Sequence, residues 1–241
     1  MSTIDWTRYP AVRTTRAFPV PPAFDPKRFS HAQLHRAASG ASILFRGWSF
    51  IVYSKGKPFN THNISDGIET TIDAAGQRPG PTVEQWTLLR SGAFLHRILM
   101  REELDPRAED MRRDGRRVLN TMETIYHVAE AIGSLWRLYD GLGVPNEESV
   151  TVEFSYHDTE GRELVVLDPR RSPMVTKRLC YAPRVEVART FALWLWKAGD
   201  VQAAVEICEE LFEHFQWEPG RQHLEDEIRP FLGKPRAFVT V

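Results

Sequence analysis

Seven apolar residues, Val118, Met122, Ile125, Ala129, Ile132, Trp136 and Tyr139, recur at three- and four-residue steps. That period writes one stripe along a helix of about six turns. Gly141, Gly143 and Pro145 follow and predict its end. A stripe this long must be buried against a facing layer, and the flanking sequence supplies strands for one.

On the N-terminal side, Ser42 to Tyr53 is β-branched and aromatic on both alternating faces, the pattern of a strand buried on two sides. Ile68 to Asp73 reads as a shorter strand. Gln85 to Arg90 and Ala93 to Met100 read as two strands broken at Ser91-Gly92, with a helix as the competing assignment. On the C-terminal side, Val150, Val152, Phe154 and Tyr156 alternate with Thr151, Glu153 and Ser155, and the turn Asp158 to Gly161 leads to Glu163–Asp168, predicting a hairpin. The expected fold class is α+β: an antiparallel sheet covered by a long helix, extended by a C-terminal helical hairpin.

The ends differ from this middle. Pro10, Pro19, Pro21, Pro22 and Pro26 stand among Trp6, Tyr9, Phe18 and Phe24, which excludes a helix and predicts an extended arm over residues 1–29, lying on its own surface or a partner's. Ser30 is a cap candidate for a short helix ending at Gly40. Residues 30–173 are then the α+β domain. Residues 174–241 form a helical subdomain: after one possible strand at Met174 to Tyr181, helices are expected at Val185–Ala198, Val201–Trp217 and Arg221–Leu232. Leu195, Trp196, Gly199 and Ala204 sit at spacings similar to half a tetratricopeptide unit, but a single unit points to a hairpin capping the main domain rather than to an array.

Charge is split between the ends. Residues 1–60 hold nine basic side chains against Asp5 and Asp25, and residues 199–230 hold nine acidic ones against Arg221 and Arg229. A basic start can meet phosphate or an acidic partner; the alternative is that the two ends attract one another or stay solvated. Arg101 to Arg117, with six charges of each sign, reads as an exposed linker with local ion pairs. No apolar run reaches membrane-spanning length and the first residues lack a signal-peptide pattern, so a cytoplasmic protein without a membrane partner is expected. Cys180 and Cys208 are too few for a disulfide scaffold or a structural zinc site and read as small hydrophobes.

Three stretches carry a resemblance: Leu44-Phe45-Arg46-Gly47-Trp48-Ser49-Phe50; Asp66-Gly67-Ile68-Glu69; and Trp86 with Arg90-Ser91-Gly92-Ala93-Phe94-Leu95-His96. Together they resemble an uncharacterised bacterial domain often attached to Schlafen-type, Alba-like nucleic-acid- or ATP-binding modules, over about Phe24 to Asp168. The chain departs from that pattern at Ile51, where proline is usual, and the Alba-like module has no counterpart, so its chemistry is not carried over. The resemblance implies the fold and a bacterial accessory role near nucleic acid, with phage defence as one setting.

Chemical signatures are sparse. Gly-x-x-x-x-Gly-Lys-Ser/Thr, Gly-x-Gly-x-x-Gly between strand and helix, Gly-x-Ser-x-Gly and His-Glu-x-x-His are all missing, and nothing calls for a cofactor. His62, Asp66, Glu69 and Asp73 are the best acidic cluster, able to hold a magnesium ion from a loop entering a strand, with solvated loop carboxylates as the alternative; Glu153-Phe154-Ser155 has serine where a nuclease of the restriction type would want lysine. Arg46-Gly47-Trp48 offers a cation and a stacking ring beside a glycine that permits close backbone approach, with core packing as the alternative. Arg46, Trp48, Arg90 and His96 are the candidate binding residues. His127 on the helix reads as hydrogen-bonded structure, and Trp194 and Trp196 face different sides of theirs, so that both are expected to pack in the core, with exposure of one to a partner as the alternative. The expected function is a non-enzymatic accessory or interaction protein with another protein as partner; the alternatives are a metal-dependent nuclease or phosphohydrolase using Asp66, Glu69 and Asp73, and a direct nucleic-acid binder through the first 60 residues.

Overall fold

The computed structural model describes residues 4–21, 23–44, 49–56, 59–73, 82–232 and 236–237. Its strands are β1 (Val12–Val20), β2 (Ile43–Leu44), β3 (His62–Ile64), β4 (Gly67–Asp73), β5 (Val83–Leu89), β6 (Phe94–Leu99), β7 (Val118–Asn120), β8 (Ser149–His157), β9 (Glu163–Val165), β10 (Arg184–Ala192) and β11 (Arg236–Ala237). Its α-helices are α1 (His31–Ala41), α2 (Glu109–Arg113), α3 (Thr121–Leu142), α4 (Leu193–Ala198), α5 (Asp200–Glu213) and α6 (Arg221–Leu232). Seven strands form one antiparallel sheet in the order β10-β8-β1-β6-β5-β4-β3, and β7 pairs with β9 in parallel. The α+β class with a long helix and a C-terminal helical pair stands.

The expected arm is the main correction. Residues 12–20 are β1, in the middle of the sheet, with β6 on one side and β8 on the other. Extension was legible from the prolines; placement was not. Pro10 and Pro19 sit at the two ends of the strand, where a missing N–H costs the ladder least. Further corrections lie downstream. β8 pairs with β1 and β10 rather than turning back on residues 163–168, whose first residues form β9 beside β7. The stretch 184–192 is strand β10, not helix, because Val185 and Val187 alternate with Arg184, Glu186 and Ala188 at period two; the helix begins only at Leu193. Residues 174–181 form no strand beyond the bridge of Leu179 to Glu163. The boundary expected at 173 therefore cuts through the sheet.

The long helix is more deeply buried than its stripe implied. Sixteen of the 22 residues of α3 are buried, because the sheet lies on one side while α1, α5 and α6 pack on others. Gly143, at φ 75°, closes the helix in the left-handed conformation that glycine adopts without strain. Gly141 has a different role from the stop signal expected of it: it lies inside α3, where a Cβ would stand 3.3 Å from Ala37 Cα of α1. With Ala37, Ala38 and Ala41 buried on α1, two small-residue surfaces let the helices approach closely. Ser30 caps α1 in a reciprocal capping box with Gln33. Of the expected strand at 42–53, the described part is β2, a bridge from Leu44 to Ser49, and the buried run Phe50-Ile51-Val52.

Antiparallel register sorts the sheet into two faces. Toward α3 run the rows Val187-Phe154-Thr15-His96-Trp86-Thr70 and Val185-Tyr156-Arg13-Ile98-Glu84-Ile72. Away from it run Glu186-Ser155-Thr14-Arg97-Gln85-Thr71 and Ala188-Glu153-Arg16-Leu95-Thr87-Glu69-His62. No described α-helix covers that second face; residues 4–9, which include a 3-10 turn at Trp6–Arg8, lean on it with Leu104, where Trp6 Nε1 donates to Gln85 Oε1 at 2.9 Å and Ile4 packs with Val83 and Leu99. No described helix is long and apolar enough to cross a membrane.

Candidate functional site

Besides Thr70, which hydrogen-bonds Thr61, the two inner rows carry four polar side chains, Arg13, Thr15, Glu84 and His96, where a sheet–helix interface is ordinarily apolar. α3 answers them with Glu123, His127 and Glu130, spaced four and three residues apart and so on one side of the helix. His96 is 1% exposed; its Nε2 lies 3.2 Å from Glu84 Oε1, yet neither ring nitrogen has the alignment of a hydrogen bond. Its ring faces that of His127 at 6.2 Å between centroids with a tilt of 24°, and Phe50 stands edge-on at 4.5 Å. Thr15 Oγ1 is 3.5 Å from His127 Nε2. At the other end of the layer, Glu102 Oε1 accepts from Arg13 Nη2 at 2.7 Å and from the Asn120 N–H at 2.8 Å, while Glu123 Oε1 lies 3.7 Å from Arg13 and 3.4 Å from Arg101.

Ser49, Phe50, Glu84, His96, His127 and Glu130 surround a cavity of about 10 Å³ open to the centre of a water molecule, enough for about one water. An imidazole beside a carboxylate can exchange a proton, but this space holds no substrate skeleton. The layer's evident physical effect is to fix the register of β1, β5 and β6 under α3, since a one-residue slip of a strand would turn its polar groups to the opposite face.

The residues expected from sequence divide among several places. His96 belongs to this layer. Arg90 lies at the β5–β6 turn, where Nε donates to Phe29 O at 3.0 Å and its backbone pairs with Phe29 and Asp66; it holds the start of α1 to the hairpin. Arg46 and Trp48 lie outside the described residues. Asp66, Glu69 and Asp73 do not assemble. Asp66 is in the turn before β4, and Glu69 and Asp73, though on one face, are four strand residues or about 13 Å apart. Glu69 Oε2 accepts from Gln85 Nε2 and Thr87 Oγ1. Among the described residues no group of three or more His, Cys, Asp or Glu side chains could hold a metal ion. Glu84, Glu130 and the Arg13–Glu102 pair were missed because only strand register, absent from any local motif, brings them together.

The split charge also resolves locally. Arg13, Arg16 and Arg28 pair with Glu102, Glu153 and Glu148, and not with the acidic end; Arg221 pairs within the C-terminal helices, with Glu209 at 3.0 Å. Arg101–Arg117 is more than an exposed linker, since Glu102 is 2% exposed and Ala108 is fully buried. Cys180 and Cys208 are buried. Trp196 is 1% exposed but Trp194 is 57% exposed, so core packing holds for only one of the two. No family model, curated protein or solved structure matches the chain.

Proposed function

We propose that the chain is a non-enzymatic interaction protein, an accessory component of a bacterial multi-component system, whose partner docks on the uncovered face of the seven-stranded sheet. The observation carrying this reading is the one-sided covering of the sheet: among the described residues the α-helices packed on it lie on the inner face, and the outer face is met by residues 4–9 and Leu104 alone. That outer face is rich in threonine and carries Phe18 at 36% and Val20 at 48% exposure beside Arg16, Arg97, Glu153 and Glu186. Its two longest rows hold both signs of charge, which suits a protein surface better than a polyanion, whose recognition wants an excess of Lys and Arg. The link to nucleic acid and phage defence rests on the Schlafen-linked resemblance alone.

The test is recovery of the tagged chain from its native cells after nuclease treatment, beside a Phe18→Asp, Thr190→Arg double variant of unchanged melting temperature. A defined protein retained by the parent and lost by the variant supports the reading. Loss of every partner on nuclease treatment, or equal recovery by both chains, overturns it.

A further inference from the structure

Of the two edges of the seven-stranded sheet, one is guarded and one is open. β3 is three residues long, and its Ile64 carbonyl meets the His31 ring of α1 at 3.1 Å. β10 is nine residues long, holds neither proline nor lysine, and runs in unbroken register from Arg184 opposite His157 to Ala192 opposite Ser149. It lacks the shortness, prolines and bulges that usually blunt an edge, and its charges are turned inward on the molecule: Arg184 pairs with Glu186, and Arg189 with Glu210 of α5. The Leu193 N–H donates to the Glu148 carbonyl at 3.0 Å, which puts the hydrogen-bonded pairs with β8 at the odd-numbered residues of β10. The N–H and C=O groups of Glu186, Ala188 and Thr190 therefore point away from β8. Among the described residues none of these three N–H groups has a hydrogen-bond partner, and of the carbonyls only that of Ala188 does, accepting from Arg189 Nη1 at 2.9 Å. A row of alternating backbone donors and acceptors is matched by another extended backbone.

The helix beside this edge defines the side chains that such a backbone would bring. α5 packs against β10, and Glu206, Glu209, Glu210 and Glu213, at steps of three, one and three, share one side of it. With Arg189 and His214 they line an open cleft of about 540 Å³, roomy enough for more than one long side chain. Arg189 answers Glu210, and Arg221 of α6 lies 3.0 Å from Glu209 and 3.7 Å from Glu206; Glu213 has no cation at ion-pair distance among the described residues. Counted over β10 and α5, together with Arg221 and with Arg178, which donates to the Gln216 carbonyl just past α5, four positive charges stand against six negative ones. The excess is acidic, so its complement is basic. We propose that the β10 edge takes a further strand from a partner protein, an extended segment with lysine or arginine at alternate positions, its backbone pairing along β10 and its basic side chains entering the cleft against α5. The edge and the cleft are separate from the outer sheet face, so either surface can fail without the other.

The full chain, ¹⁵N-labelled, is titrated at constant low ionic strength with acetyl-Thr-Lys-Val-Lys-Thr-Lys-Val-amide, with its glutamate-for-lysine counterpart, and with a peptide of the same composition in which the three lysines are consecutive. The expected result is saturable binding of the alternating lysine peptide, with the Glu186, Ala188 and Thr190 amide protons gaining protection from exchange. Binding is expected to be at least about tenfold weaker for each of the other two peptides. Ala188→Pro removes an outward N–H at a position where an edge strand tolerates proline, and is expected to weaken binding about tenfold. Glu213→Lys, an exposed change on the helix, is expected to weaken it about fivefold at unchanged melting temperature, and it decides the matter alone if Ala188→Pro does not fold. Equal binding of the glutamate or consecutive-lysine peptide, binding without protection of those three amides, no saturation, or an undiminished affinity in Glu213→Lys overturns the proposal.

Discussion

Arg13 and Glu102 show what one buried pair does here. Both are about 2% exposed, and Glu102 also receives the Asn120 N–H that begins α3. Glu102→Ala leaves the guanidinium of Arg13 in the core beside a lost acceptor, so the expected cost is about 3–5 kcal/mol. Glu102→Gln, which still accepts from Asn120, is expected to cost less; urea denaturation of the two variants against the parent checks the order. His157 makes a pH prediction of definite sign. Partial burial, then Arg184 and, more weakly, Arg16 and Arg97 hold its pKa below the ordinary 6.5 against an opposing pull from Glu186. The unfolded chain takes the proton first as pH falls, so this residue's contribution is full above 6.5 and is lost as pH falls toward the folded value. His157→Gln is expected to flatten the stability profile between about pH 7 and pH 5, measured by thermal melts in constant-ionic-strength buffers.

Among the elements, β1 carries the strongest consequence. It has a hydrogen-bonded neighbour on each side and puts Arg13, Thr15 and Ala17 under α3. Removing residues 4–20 is expected to abolish cooperative folding, whereas loss of a surface arm would leave the melting transition in place; circular dichroism of the truncated chain decides. The comparison of sequence with structure is instructive at this scale. The β5–β6 hairpin was legible because Ser91-Gly92 is a turn, with Gly92 at φ 91°, between alternating runs. α5 and α6 were legible because their apolar period is helical and their ends are marked. β10 was not, because its alternation runs directly into Leu193-Trp194-Leu195-Trp196 and the combined stretch is apolar at either period. The polar layer had no signature, since Glu84, His96 and Glu130 are ordinary residues until three elements are superposed.

In the molecule as a whole, one buried cluster runs from Ala11 through α3 to Leu232 and includes Cys180 and Cys208. The C-terminal helices therefore share their core with the sheet. A chain built this way is expected to unfold in a single step. Burial pushes the Cys208 thiol well above its ordinary pKa, so it is expected to resist a thiol reagent until that step, with labelling and circular dichroism giving the same denaturant midpoint. Two separate midpoints would mean that α5 and α6 detach first. The position of β1 has a further consequence in time. Arg13 lies opposite Ile98 on one flank and Tyr156 on the other, so both partners of this strand are synthesised after it, the second of them well after the first. Contacts that span so much chain slow folding, and the waiting strand is a natural client for a chaperone that holds extended, half-apolar segments.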